Sequence, residues 1–185
     1  MASRPTVAPS AHRFTRDEYH RMAEAGLFRD ERVELLDSEI ITMSPKSSGH
    51  AFAVSRLMQL LVRKLGSTAI VRIQDPIVLD DWSEPEPDVA VCDLVRDDYR
   101  HAHPRADQIR LVIEVAESSL AYDRTRKARA YATAEIPEYW IVDLVDRRVE
   151  ILSGLDRETQ CYRECRNALP GDSLPLGSEV IAVDL

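Results

Sequence analysis

Leu111-Val112-Ile113-Glu114-Val115-Ala116 is apolar on both faces apart from Glu114. A strand that faces water on one side alternates apolar and polar residues, so this run reads as a central strand in a sheet covered on both faces. Its one carboxylate needs a reason, because burying an ionised carboxylate without a partner is costly. Glu114 is therefore expected to pair with a cation, hold a metal, or stand at a strand end facing a cleft. A salt bridge to a neighbouring arginine is the purely structural alternative.

The flanking sequence supplies cover for both faces. Val54, Leu57, Met58, Leu61 and Leu65 keep a 3.6-residue period over 50–65, with Gly66 placed as the C-terminal cap. Thr15-Arg16-Asp17-Glu18 matches a capping box and predicts a short first helix, with Tyr19, Met22, Ala23 and Leu27 at helical spacing and Gly26 available to end it. Residues 32–43 predict two short strands turning at Asp37-Ser38. Runs 69–79 and 87–92 read as strands ahead of the central one, and 123–135 reads as a helix after it. Residues 138–145 and 148–152 look like paired strands around Asp146-Arg147. Leu169-Pro170-Gly171 and Leu174-Pro175-Leu176-Gly177 read as turns. This order predicts an α/β fold, a mixed sheet flanked by helices.

The chain has 185 residues, 44% hydrophobic and 30% charged, which suits one domain over 14–185 after a proline-punctuated, flexible lead-in over 1–13. A chain of this size buries roughly 70% of its unfolded surface and needs no disulfide or structural metal. Cys92, Cys161 and Cys165 are an odd set without a secretory signal, which predicts free thiols and a cytoplasmic location. Cys161 and Cys165 lack a second Cys/His pair to complete a zinc site. No apolar run is long enough to span a bilayer. The net charge of −8 argues against broad affinity for nucleic acid or anionic lipid.

Pro87-Asp88-Val89-Ala90-Val91-Cys92 places a second carboxylate at the start of another apolar strand. Adjacent strands lie about 4.8 Å apart, so Asp88 and Glu114 on one face can both reach a single Mg²⁺ or Mn²⁺. Lys127 follows on the predicted helix, where Asp123, Lys127 and Tyr131 share a face while Arg126 and Arg129 point outward. Glu34, flanked by apolar residues, either joins the cluster or occupies an exposed alternating position. Two carboxylates and an ammonium around a divalent cation suit metal-assisted hydrolysis, the lysine orienting water or neutralising charge at phosphorus. His50 opens the long helix as a surface, capping or site residue, and Trp140 reads as core.

At these residues the sequence resembles the Uma family of restriction-endonuclease-like proteins, a branch of the PD-(D/E)XK nuclease superfamily. The resemblance covers residues 14–152. It is carried by Arg32-Val33-Glu34-Leu35-Leu36-Asp37-Ser38-Glu39-Ile40, Met43-Ser44-Pro45 with His50, and Gln74-Asp75-Pro76-Ile77. Glu84-Pro85-Glu86-Pro87-Asp88, Leu111 to Val115, Tyr122-Asp123 with Lys127 and Tyr131, and Glu138-Tyr139-Trp140-Ile141-Val142-Asp143 complete it. The resemblance implies a restriction-endonuclease-like mixed-sheet core, Asp88 and Glu114 as metal ligands and the Val115 carbonyl as a third. It implies Glu34 and Gln74 as supporting residues. The superfamily's lysine stands two residues after the glutamate, where this chain has Ala116, and the resemblance makes Lys127 its replacement. Ser38 stands where a turn glycine is usual.

The expected function is a Mg²⁺- or Mn²⁺-dependent DNA endonuclease, expected as a homodimer because two strands are cut. The alternative is a catalytically inactive nuclease-fold binding or assembly protein, favoured by the acidic charge and the displaced lysine. A third reading is metal-dependent hydrolysis of a non-nucleic substrate. Glu84, Glu86, Asp88 and Glu114 are expected around the cation, with Arg124, Arg126 and Arg129 as local basic contacts.

Overall fold

The computed structural model describes residues 10–176 and 179–182. Most of the predicted lead-in, and Gly177 of the last predicted turn, lie outside the described residues. The chain opens with α1 (Arg16–Glu24), where Thr15 and Glu18 close the predicted capping box. A hairpin of β1 (Val33–Leu36) and β2 (Glu39–Thr42) follows. Its turn residues Asp37 and Ser38 both take positive φ, 51° and 70°. That geometry favours glycine, and the chain meets it with a buried Ser38 whose hydroxyl accepts from Arg13 Nε at 3.1 Å.

Next come α2 (Ser48–Leu65), β3 (Ile70–Ile73), β4 (Val89–Cys92) and β5 (Ile109–Ala116). The crossover then runs through α3 (Leu120–Tyr122), a π-helical turn (Asp123–Lys127) and α4 (Ala128–Thr133). It leads to β6 (Tyr139–Asp143), β7 (Arg148–Asp156), β8 (Cys161–Ala168), β9 (Ser173–Leu176) and β10 (Glu179–Ala182). Six strands form one mixed sheet in the order β3-β4-β5-β6-β7-β8, with β5 and β6 parallel and the other pairs antiparallel. The central run is thus a central strand, as its apolar faces require.

Strand alternation divides the core. Val89, Val91, Leu111, Ile113, Val115, Trp140 and Val142 pack beneath Leu57, Leu61 and Leu65 of α2. Ala90, Cys92, Val112, Ala116, Tyr139 and Ile141 pack on the opposite face with Ala128 and Tyr131. Each large apolar side chain so buried contributes roughly 1.5–3 kcal/mol. Glu114 belongs to the second face, under the crossover.

Three expectations need correction. The helix read over 123–135 is broken by the π-turn, whose Ala128 amide reaches back to the Asp123 carbonyl. The first strand of 69–79 is cut short where Gln74 adopts φ 54°. The turn read at Leu174-Pro175-Leu176 is strand, paired with β10. The sequence also hid β8, whose exposed, charged residues lack an apolar alternation because it is the edge strand. All three cysteines are free, Cys92 buried and the others exposed. Among the described residues no helix is long and apolar enough to cross a membrane.

Candidate active site

Asp88 sits one residue before the ladder of β4 begins. The β4–β5 pairing starts at Val89 opposite Ile113, so the Val115 amide has no strand partner on that side. The Asp88 carboxylate replaces one, taking the Val115 N–H on Oδ2 at 2.9 Å. His50 Nε2 lies 3.0 Å from the same oxygen, and Gln74 Nε2 donates to Oδ1 at 3.0 Å. The strained backbone at Gln74 has a purpose here, since its own N–H also reaches the Asp88 carbonyl at 3.2 Å. Burial opposes ionisation of Asp88, yet the bonds from His50, Gln74 and Val115 outweigh it and hold the carboxyl below its ordinary range.

Glu114 meets the crossover. Its Oε1 accepts from Lys127 Nζ at 2.7 Å and from the Tyr131 hydroxyl at 2.7 Å. Lys127 also lies 3.3 Å from Glu34 Oε2, which in turn accepts the Glu86 amide at 3.0 Å. Burial pushes the Glu114 carboxyl above its ordinary range, against the attraction of Lys127 and with added repulsion from Asp88, Asp123 and Glu34. Burial opposes the charge on Lys127, but Glu114, Glu34 and Asp123 together hold its pKa above the usual lysine value. The ammonium stays charged.

The π-turn sets this lysine. Asp123 and Lys127 at its two ends are buried, while Arg124 and Thr125 between them are exposed. Ser119 Oγ donates to Asp123 Oδ2 at 2.5 Å, and the Tyr139 hydroxyl donates to its carbonyl at 3.3 Å. On the outer side Arg124 grips Glu150 with two nitrogens, Nε at 2.9 Å from Oε2 and Nη2 on Oε1. One wide turn is thereby fixed from both sides.

Glu34, Asp88, Glu114, Val115 and Lys127 line a single cleft of about 360 Å³. His50 lines it too, with its ring turned to Asp88. Gln74 is not on the cleft wall and acts on Asp88 from behind. Glu84 is not there: Arg16 and His20 hold it at 2.6 and 2.7 Å against α1. The expected basic contacts are engaged elsewhere, Arg124 with Glu150 and Arg126 with Glu39. Arg129 lies exposed on α4, beyond the cleft lining. The sequence assigns no site role to Tyr131, the donor to Glu114, or to Arg32, Lys46 and Tyr122 on the cleft wall. Tyr131 was within reach of the helical spacing from Lys127; the others come from loops and a helix end with no periodic signal.

Among the described residues no three His, Cys, Asp or Glu side chains form a metal-binding cluster. Mg²⁺ does not require one, because it commonly takes one or two carboxylates and fills its shell with water and substrate oxygens. Both protein bonds to Glu114 fall on Oε1, which leaves Oε2 free for the cleft. Amide and carbonyl of a strand residue point to the same side, so the Val115 carbonyl shares the edge that its amide presents to Asp88. This all-oxygen donor set fits a hard divalent cation.

A family model described as "Uma2: Putative restriction endonuclease" matches residues 16–183. No curated protein matches the chain. Among solved structures, one similar in fold is the crystal structure of a "putative nuclease belonging to DUF820" from Anabaena variabilis ATCC 29413. It has a TM-score of 0.66 and 14% identity, covering 89% of this chain and 90% of that one.

Proposed function

The chain belongs to the Uma2 family, and on that premise we propose that it is a metal-dependent DNA endonuclease hydrolysing phosphodiester bonds through a PD-(D/E)XK-like site. The observation that carries this reading is Lys127 Nζ at 2.7 Å from Glu114, in the cleft that Asp88 also lines. The catalytic lysine comes from the crossover instead of the strand.

Asp88, Glu114 and the Val115 carbonyl would hold Mg²⁺ or Mn²⁺. When bound, such an ion supplies Lewis acidity, polarising a phosphoryl oxygen and lowering the pKa of water. Lys127 holds positive charge beside that position, where it neutralises charge growing on phosphorus and orients the attacking water. Glu34 holds the ammonium from its other side. Gln74 and His50 fix the Asp88 carboxylate, and Tyr131 fixes Glu114 so that its second oxygen faces the cleft. Cutting both strands of a duplex takes two such centres, which extends the reading to a homodimer, checked by sedimentation.

The direct test is cleavage of a DNA panel with Mn²⁺, with and without chelator, by the wild-type chain and by Asp88→Asn, Glu114→Gln and Lys127→Ala. The expected result is chelator-sensitive cleavage that each substitution lowers by about a hundredfold or more. Equal cleavage by the variants would assign the activity to another site or a contaminant.

A further inference from the structure

The cleft carries two cations that the chemistry above does not use, Arg32 and Lys46. The Met43 amide donates to the Arg32 carbonyl at 2.8 Å, which holds the loop bearing Lys46 against the start of β1. Lys46 lies exposed on the cleft wall, and among the described residues no carboxylate stands within ion-pair distance of it. Partial desolvation there and the neighbouring Arg32 lower its pKa, and the attraction of Asp88 and Glu86 only partly offsets them. Arg32 spends one nitrogen on Glu86, Nη2 at 2.9 Å from Oε2, and keeps the rest of its donor fork.

Two like charges thus line one cleft in a chain with net charge −8, and Glu86 answers only the first of them. An arriving anion removes it equally well. The surroundings favour one. The first turn of α2 has no acidic residue, and its cap Ser47 and His50 line the same cleft. The positive end of that helix therefore adds to the two side chains. Tyr122 also lines the cleft, and its buried hydroxyl has no hydrogen-bond partner. A buried donor without a partner calls for an explanation, and an incoming oxygen gives one.

We propose that Arg32 and Lys46, beside the start of α2, form a phosphate subsite that grips a DNA backbone phosphate next to the scissile one. The inference deepens the endonuclease reading and rests on it for the identity of the strand. It accounts for how an acidic protein holds a polyanion: by a local pair of cations at the cleft, with no basic surface elsewhere required.

The test uses the full chain carrying Glu114→Gln, so that DNA is not cut, and reads fluorescence anisotropy of a labelled duplex oligodeoxynucleotide across a salt series. Lys46→Ala and Arg32→Ala should each weaken binding about tenfold whatever the sequence, and lower the salt slope by about one. Lys46→Arg should restore affinity, and Lys64→Ala, at the far end of α2, should change nothing. Without Glu114→Gln, Lys46→Ala should raise KM and leave kcat nearly unmoved. Unchanged affinity in Lys46→Ala and Arg32→Ala, or no binding of the duplex at all, overturns the subsite. Lys46-dependent binding by a wild-type chain that never cleaves keeps the subsite and overturns the endonuclease reading.

Discussion

Lys127 reaches Glu114 from the crossover, 2.7 Å from Nζ to Oε1, with both side chains buried. Removing one member of such a pair strands the other charge in a poorly solvated site, and here Glu34 would be stranded as well. Lys127→Ala is expected to lower stability by about 3–5 kcal/mol, read as a fall in the urea midpoint. The double variant Glu114→Gln, Lys127→Met should recover most of that loss and remain without activity. A single variant as stable as wild type would mean that the pair is already neutral.

Moving the lysine back to the usual place should fail. Ala116 is fully buried and packs in one cluster with Ala128, Tyr131 and Ile136. A longer side chain there must push the crossover away from the sheet, and overpacking of this kind typically costs about 1–3 kcal/mol. Ala116→Lys combined with Lys127→Ala is therefore expected to melt lower than Lys127→Ala alone and to regain no cleavage. Recovery of activity in a thermally stable double variant would show that the helix position is incidental.

Arg124 should prove hard to replace even by lysine. Its two-nitrogen grip on Glu150 anchors the π-turn, and an ammonium cannot reproduce the fork. Because the guanidinium is partly exposed, the expected loss for Arg124→Lys is modest, about 1 kcal/mol. The sharper readout is hydrogen exchange, where the amides of 123–128 should lose protection while those of β5 do not. Uniform loss across the sheet would instead mark Arg124 as a general stabiliser.

Thiol chemistry gives a pH test independent of the cleft. Burial pushes the Cys92 thiol up to about 12, so little thiolate exists near neutral pH and alkylation should be slow until the solution is strongly alkaline. Cys161 and Cys165 are exposed. The native chain should therefore show two accessible thiols at pH 8 and a third only on unfolding. Three equally fast thiols would mean that the β4 face opens readily.

Much of this arrangement is legible in the sequence where periodicity is strong. The capping box at Thr15, the stripe of α2, the Asp37-Ser38 turn and the doubly apolar run around Glu114 each announce their element. The π-turn is not legible, because Asp123, Lys127 and Tyr131 keep helical spacing in sequence and the wider turn is imposed by Ser119, Tyr139 and Glu150 from outside it. The edge strand β8 is equally silent, since its residues answer to solvent more than to a core. At the site, carboxylates in apolar runs are conspicuous, whereas Lys46 and Arg32 look like any surface cation until the backbone bond between Met43 and Arg32 brings them together.

The parallel pairing of β5 with β6 has a consequence for how the site is assembled in time. Parallel neighbours cannot be joined by a hairpin, so the chain must leave β5, pass over the sheet and return, and Lys127 rides on that detour. Glu114 belongs to the sheet and Asp88 to the residue leading into it, whereas the ammonium belongs to the bridge over it. A chain whose sheet had formed without its bridge would hold Asp88 and Glu114 but not Lys127, so the full set of charges exists only when both parts are in place.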